Sequence, residues 1–146
     1  MILPDVNVLV YAYRKDSPRH AEYRAWLENL LDGGQTFGIS DLVLSGFLRV
    51  VTHPRIFNPP TPLPEAWRFV DALRQVPQCI STSPGPRHWE IFKELAQGVD
   101  AKGNVIADAF HAALAVENGA EWITTDRDFA RFPKLKWRHP LGKSQR

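Results

Sequence analysis

The chain has a single cysteine, Cys79, so no disulfide can form within it, which fits a reducing compartment. No run approaches the roughly 18 to 20 apolar residues that a membrane-spanning helix needs. The first residues, MILPDVNVLVYAYRK, lack a basic segment ahead of the apolar stretch and carry Asp5 inside it, so they do not read as a secretory signal. Internal repeats, low-complexity tracts and linkers are missing as well. These absences point to a soluble, cytoplasmic protein with no membrane association.

What is present describes a packed globule. At 146 residues the chain fits one domain, long enough to bury roughly two thirds of the surface its unfolded form exposes. A hydrophobic fraction of 44%, with five Trp, eight Phe and three Tyr, supplies a core. The net charge of +2 hides an asymmetry. From Arg127 to Arg146 seven Lys or Arg face Asp128 alone, so the remainder of the chain is acidic on balance. A basic terminus on an acidic body suits a polyanionic ligand, whose bound counterions are released on contact, and it equally suits a solvated tail. The domain is expected over residues 1–141, with 142–146 a basic tail.

Strand-like and helical periods alternate along the chain. ILPD reads as a first strand and VNVLVYAY as a helix. Ser17 before Pro18 reads as the cap of the next helix, with Tyr23, Leu27, Leu30 and Leu31 on one face and Gly33 and Gly34 as its stop. QTFGIS is a second strand, and Ser40 caps a helix from Asp41 to Thr52. After a proline-rich loop, Ala66, Trp67, Val70 and Leu73 mark another helix. VPQCIST is a weak third strand, PRHWEIFKELAQ a helix, Val105 to Glu117 a helix ended by Asn118 and Gly119, EWITT a fourth strand, RDFARF a short helical turn and KLKW a fifth strand. Crossover helices of this length imply a largely parallel sheet covered on both faces. Such sheets bind ligands beyond the carboxyl ends of their strands.

Three distant aspartates converge on that address. Asp5 ends the first apolar run and Asp126 another, while Asp108 lies early in an apolar helix, where an unpaired buried carboxylate is costly. Asn104, Asp108 and His111 are spaced i, i+4, i+7 and share a helical face. Gathered carboxylates suit a hard divalent ion, Mg²⁺ or Mn²⁺, able to activate an attacking water and stabilise a leaving oxygen. Hydrolysis of a phosphodiester is therefore the leading chemistry. Each residue also has a structural alternative: Asp5 or Asp128 as a cap, Asn7 in an Asx turn, His111 as a packed, hydrogen-bonded core residue.

Three segments, DVNVLVYA, SGFLRVVTHPRIF and GNVIADAFHAALAVENGAEWITTDRDFARFPKLKW, together resemble the PIN domain of VapC-type toxin ribonucleases of bacterial toxin–antitoxin pairs. The resemblance implies a three-layer α/β/α fold, Mg²⁺- or Mn²⁺-dependent cleavage of RNA, frequent homodimerisation, and inhibition by a cognate antitoxin. Position by position it makes Asp5, Asp108 and Asp126 the metal-binding acids, with Asn7 as the polar residue accompanying the first. One departure concerns Gly46, which stands where the broader family usually carries a Glu. Asp41 precedes it by five residues, about 140° away around a helix, and so reaches the strand-end site only from the helix start. Asp41 and Asp128 are thus the candidates for a fourth acid, with Asn104 a further polar candidate. Arg14, Lys15, Arg49 and Arg127 are position-based candidates for contacts to the RNA backbone. Two other classes remain: a catalytically weakened PIN-like module that binds RNA or protein, and an unrelated phosphatase, for which Asp126-Arg127-Asp128 is only a weak D-x-D pair.

Overall fold

The alternating periods become strands and helices in the computed structural model, which describes residues 1–142. Lys143 to Arg146, most of the expected basic tail, lie outside the described residues. The strands are β1 (Ile2–Pro4), β2 (Phe37–Ile39), β3 (Cys79–Ser81), β4 (Glu121–Ile123) and β5 (Trp137–Arg138). The helices are α1 (Val6–Tyr13), α2 (His20–Asp32), α3 (Asp41–Val51), α4 (Leu63–Gln75), α5 (His88–Gly98) and α6 (Asn104–Glu117). A 3-10 helix, Arg127–Arg131, precedes β5.

The strands form one sheet in the order β3-β2-β1-β4-β5, and every pairing is parallel. Central β1 and β2 are buried throughout, because a strand covered on both faces has no solvent side. Strand addition runs one way from β1 through β2 to β3, then reverses to β4 and β5. Right-handed crossovers put the connecting helices of these two runs on opposite faces. The helix contacts agree: α1 packs on α2 and α3, and α3 on α4, while α5 packs on α6. The layers are therefore α/β/α, as expected, with the sheet wholly parallel. Between β1 and β4 lies the point where the order reverses, the position at which open parallel sheets leave a crevice.

Local chemistry sets the helix starts nearest that crevice. Asp5 caps α1, its Oδ1 accepting the Val6 N–H at 2.6 Å. Ser40 caps α3 as expected, its hydroxyl accepting the Val43 N–H at 3.1 Å. The α2 start differs from expectation. Ser17 and Pro18 sit in a turn, Arg19 adopts a left-handed conformation with φ 57°, and the helix begins only at His20. The Ser17 hydroxyl is buried without a partner instead of capping. Strand β5 is also displaced, covering Trp137–Arg138 in place of KLKW. Trp67 and Trp89 lie on α4 and α5 as expected but face outward, at 46% and 66% exposed.

Phe47, fully buried on α3, stacks on Phe69 of α4 at 4.9 Å and meets Tyr13 of α1 edge-on at 5.4 Å. Three helices are locked together by aromatic contact. One residue earlier, Gly46 permits a close approach: a Cβ built there would lie 2.8 Å from Val6 Cγ2. The space where a side chain would begin is taken by Val6 of α1. At an open helical position Gly→Ala gains about 1 kcal/mol. Here overpacking costs about 1 to 3 kcal/mol. Gly46→Ala is therefore expected to lower the urea midpoint; a raised midpoint would mean that Val6 gives way without cost.

Candidate active site

Asp5 directly follows β1, and its backbone N–H donates to the Ile123 carbonyl of β4 at 2.8 Å. Asp126 lies three residues beyond β4, so both acids stand at carboxyl ends of adjacent strands, astride the reversal point. Thr124, fully buried, links them. Its hydroxyl donates to Asp5 Oδ2 at 2.7 Å and accepts the Asp126 N–H at 3.1 Å. Asn7 completes the clasp from α1: its Nδ2 donates to Asp5 Oδ2 at 3.4 Å, and its Oδ1 accepts the Thr125 N–H at 3.3 Å. Asp126 in turn accepts the Asp128 N–H at 2.9 Å, starting the 3-10 helix.

Asp5, Asp108 and Asp126 line one cavity of about 530 Å³, together with Asn7, Asn104 and His111. All three residues of the α6 stripe thus face it. Arg49 and Val50 of α3 also border it, as do Ile56 and Phe57 from the loop after α3. These last two form an apolar side that the sequence does not announce. Thr124 was likewise not singled out; the only signal for it was a hydroxyl between a strand and an acid.

Other expected residues lie elsewhere. Asp41 is exposed in the first turn of α3 and is absent from the cavity lining, where it complements the helix dipole. Asp128 is exposed and pairs with Arg131 at 3.5 Å. Arg14 donates to Asp16, to the Thr61 hydroxyl at 3.0 Å and to the Pro59 carbonyl at 3.0 Å, and lies over the Phe57 ring at 4.2 Å. It fastens the proline-rich loop, and Lys15 borders the same separate cleft. Arg127 borders a different cleft.

The acids destabilise one another's charged forms. Burial, opposed by the Thr124 and Val6 hydrogen bonds and reinforced by Asp108 and Asp126, pushes the Asp5 carboxyl up from 3.8 to about 6. Burial and the neighbouring Asp126 raise Asp108 as well. His111 is driven the other way by burial, down to about 4, so it is neutral at physiological pH. Its Nδ1 has no hydrogen-bond partner and its ring stacks on Trp122 at 5.1 Å, so it is packed as expected but not hydrogen-bonded at that atom.

Among the described residues, no three His, Cys, Asp or Glu side chains close into a preformed metal cage. The donors instead border an open cavity. That arrangement suits Mg²⁺ or Mn²⁺, which take hard oxygen ligands and retain several waters, more than a fully caged ion. The mutual repulsion of three carboxylates is what a divalent cation relieves.

The crevice at the reversal point is bordered by the three acids. The chain belongs to the PIN-domain family, whose model it matches over residues 2–135. Its relatives there are VapC ribonucleases. It is 53% identical over 141 residues to ribonuclease VapC43 of Mycobacterium tuberculosis, covering 97% of this chain and 96% of that one. Ribonuclease VapC25 of the same organism is 42% identical over 140 residues, covering 96% and 99%. Among solved structures, VapBC2 from Rickettsia felis bound to a DNA fragment from their promoter has the same fold, with a TM-score of 0.69, 23% identity, and coverage of 95% of this chain and 98% of that one.

The raised Asp5 value sets a pH dependence. Because the folded carboxyl binds its proton more tightly than the unfolded one, its contribution to stability is complete below about pH 4 and is lost as pH rises through about 6. The shift amounts to about 3 kcal/mol. Without divalent cations, the part of the unfolding free energy removed by Asp5→Asn is expected to shrink between pH 4 and 7. A difference between parent and variant that does not vary with pH would contradict the assignment.

Proposed function

We propose that the chain is a divalent-metal-dependent endoribonuclease, the toxin of a toxin–antitoxin pair acting in the cytoplasm. The observation carrying this is the convergence of Asp5, Asp108 and Asp126, from three distant segments, on one cavity at the sheet's reversal point. The relatives' names support the substrate class. Among the described residues no helix is long and apolar enough to cross a membrane, which accords with this location.

Asp5, Asp108 and Asp126 would hold Mg²⁺ or Mn²⁺, directly or through water. When bound, the ion supplies Lewis acidity, activating water for attack on the phosphodiester and offsetting charge on the leaving oxygen. Thr124 and Asn7 fix the Asp5 carboxylate, leaving its remaining lone pairs to the cavity. Asn104, at the start of α6, offers an amide to the metal's waters or to a phosphate. Arg49 meets the RNA backbone at the cavity edge. Phe57 and Ile56 narrow the opening and exclude bulk water. No side-chain nucleophile is required. Asp41 and Asp128 take no ligand role; Asp128 adds negative charge that reaches Asp108. Gly46 likewise leaves no fourth acid at its position.

An antitoxin would inhibit by filling the groove or by placing an Arg between the carboxylates, where guanidinium and carboxylate pair bidentately. A homodimer is the expected assembly. A module that binds RNA without cutting it is the competing reading, and cleavage decides between the two.

Mapping RNA 5′ ends after brief expression is expected to reveal new ends with the parent chain and none with Asp108→Asn, a half-buried site where the exchange preserves shape. Identical maps would sink the nuclease assignment. Metal occupancy has its own readout. At pH 7.5, millimolar Mn²⁺ is expected to raise Tm of the parent by several degrees and of Asp108→Asn by less, because a ligand that binds only the folded state stabilises it. Equal shifts in the two proteins would remove Asp108 from the ligand set.

A further inference from the structure

Three of the basic residues toward the C-terminus are held in ion pairs. Arg131 pairs with Asp128, Lys134 with Glu94 at 2.6 Å and Arg138 with Glu121 at 3.2 Å. Arg127 has no ion-pair partner among the described residues. It borders a second cleft, about 410 Å³, with Arg19, Ala130, Trp137 and His139. Arg19 binds Glu22 through Nε and one terminal nitrogen, at 2.9 and 2.8 Å, which leaves its other terminal nitrogen free to donate.

What suits this cleft to an anion is its geometry, two guanidiniums on one concave surface. Both guanidiniums reach one imidazole: His139 is held below its ordinary value by burial first, then by Arg19 and Arg127. Glu22 already pairs with Arg19, just ahead of α2, so Arg127 on the 3-10 helix supplies the unpaired charge of the cleft. Arg19 stands at the N-cap of α2 without capping it, and its side chain lines the cleft beside Trp137 of β5. The position relative to the acids is specific. Asp126 and Phe129 border the acidic cavity while Arg127 and Ala130 border the basic cleft. One short 3-10 helix is therefore the partition between them.

We propose that the basic cleft is a nucleotide subsite for RNA, taking a backbone phosphate between Arg19 and Arg127 and a neighbouring base against Trp137. This rests on the ribonuclease reading. A single strand laid across the partition would present one phosphate to the acids and a flanking phosphate to the arginines. Guanidiniums suit phosphate because their forked donors match its oxygens. An indole face accepts any base by stacking, so the subsite sets register and strandedness more than sequence.

The test uses a short fluorescein-labelled single-stranded RNA of mixed sequence, bound in EDTA so that it is not cut, with anisotropy followed across a salt series. Arg127→Ala and Arg19→Ala, both at exposed positions, are expected to weaken binding on the order of fivefold to tenfold each. Removing both together should flatten the slope of log K against log salt by about 0.7, the one phosphate contact that they share on a single strand, and each alone by part of that. Arg127→Lys should retain the slope. Trp137→Leu should weaken binding on the order of tenfold with the parental slope. Parental affinity and slope in both arginine variants would overturn the subsite while leaving the nuclease intact, provided the parent still cuts RNA. A parent that neither binds nor cuts RNA would overturn both.

Discussion

A single buried hydroxyl ties together the acidic end of the sheet. Thr124 donates to Asp5 and accepts from the backbone of Asp126, tying the ends of two neighbouring parallel strands into one unit. Without a donor at that point, a carboxylate as deeply buried as Asp5 would lie against other acids with little to offset its desolvation. The hydrogen bond lowers the Asp5 value only in part; burial first, and the neighbouring acids after it, keep the value raised. The sheet order explains why the clasp falls here. Strand addition reverses between β1 and β4, so the helices diverge to opposite faces and leave a crevice beyond the two strand ends.

The neighbouring helices are arranged around that opening. α1 begins on Asp5 itself, so the residue that caps the helix also faces the cavity. α3 lies close against it because Gly46 has no Cβ, and Val6 occupies the vacated volume. The absence of an acid at this position is thus a packing fact as much as a chemical one. The helix approaches α1 too closely for a side chain to leave Gly46 without displacing Val6. Three carboxylates line the cavity, with Arg49 and Val50, one turn further along α3, at its border.

Much of this was legible in the residues. Capping at Ser40, the stop at Asn118 and Gly119, and the i, i+4, i+7 stripe of α6 all follow from local rules that tertiary packing did not override. The α2 start was misread because Ser17 followed by Pro18 imitates a cap and first turn, whereas the left-handed Arg19 interrupts the chain two residues later. Nothing local announces that conformation in an arginine. Trp67 and Trp89 satisfied helical spacing yet face outward, since periodicity identifies a face and not the element that covers it. Arg14 and Lys15 were grouped with RNA contacts by position alone. Three-dimensional structure was needed to see that the Arg14 guanidinium is already committed to Asp16, Thr61 and Pro59.

That commitment separates two duties within the fold. Part of the cavity lining is a short irregular segment, held by backbone bonds to His53 and by a guanidinium that also lies over Phe57. The acids, by contrast, hang on strand ends and helices whose register the core enforces. Substitutions along Ile56 to Pro60 can reshape the entrance while leaving the carboxylates where they are. The scaffold therefore carries the shape of the entrance and the placement of the carboxylates on separate supports.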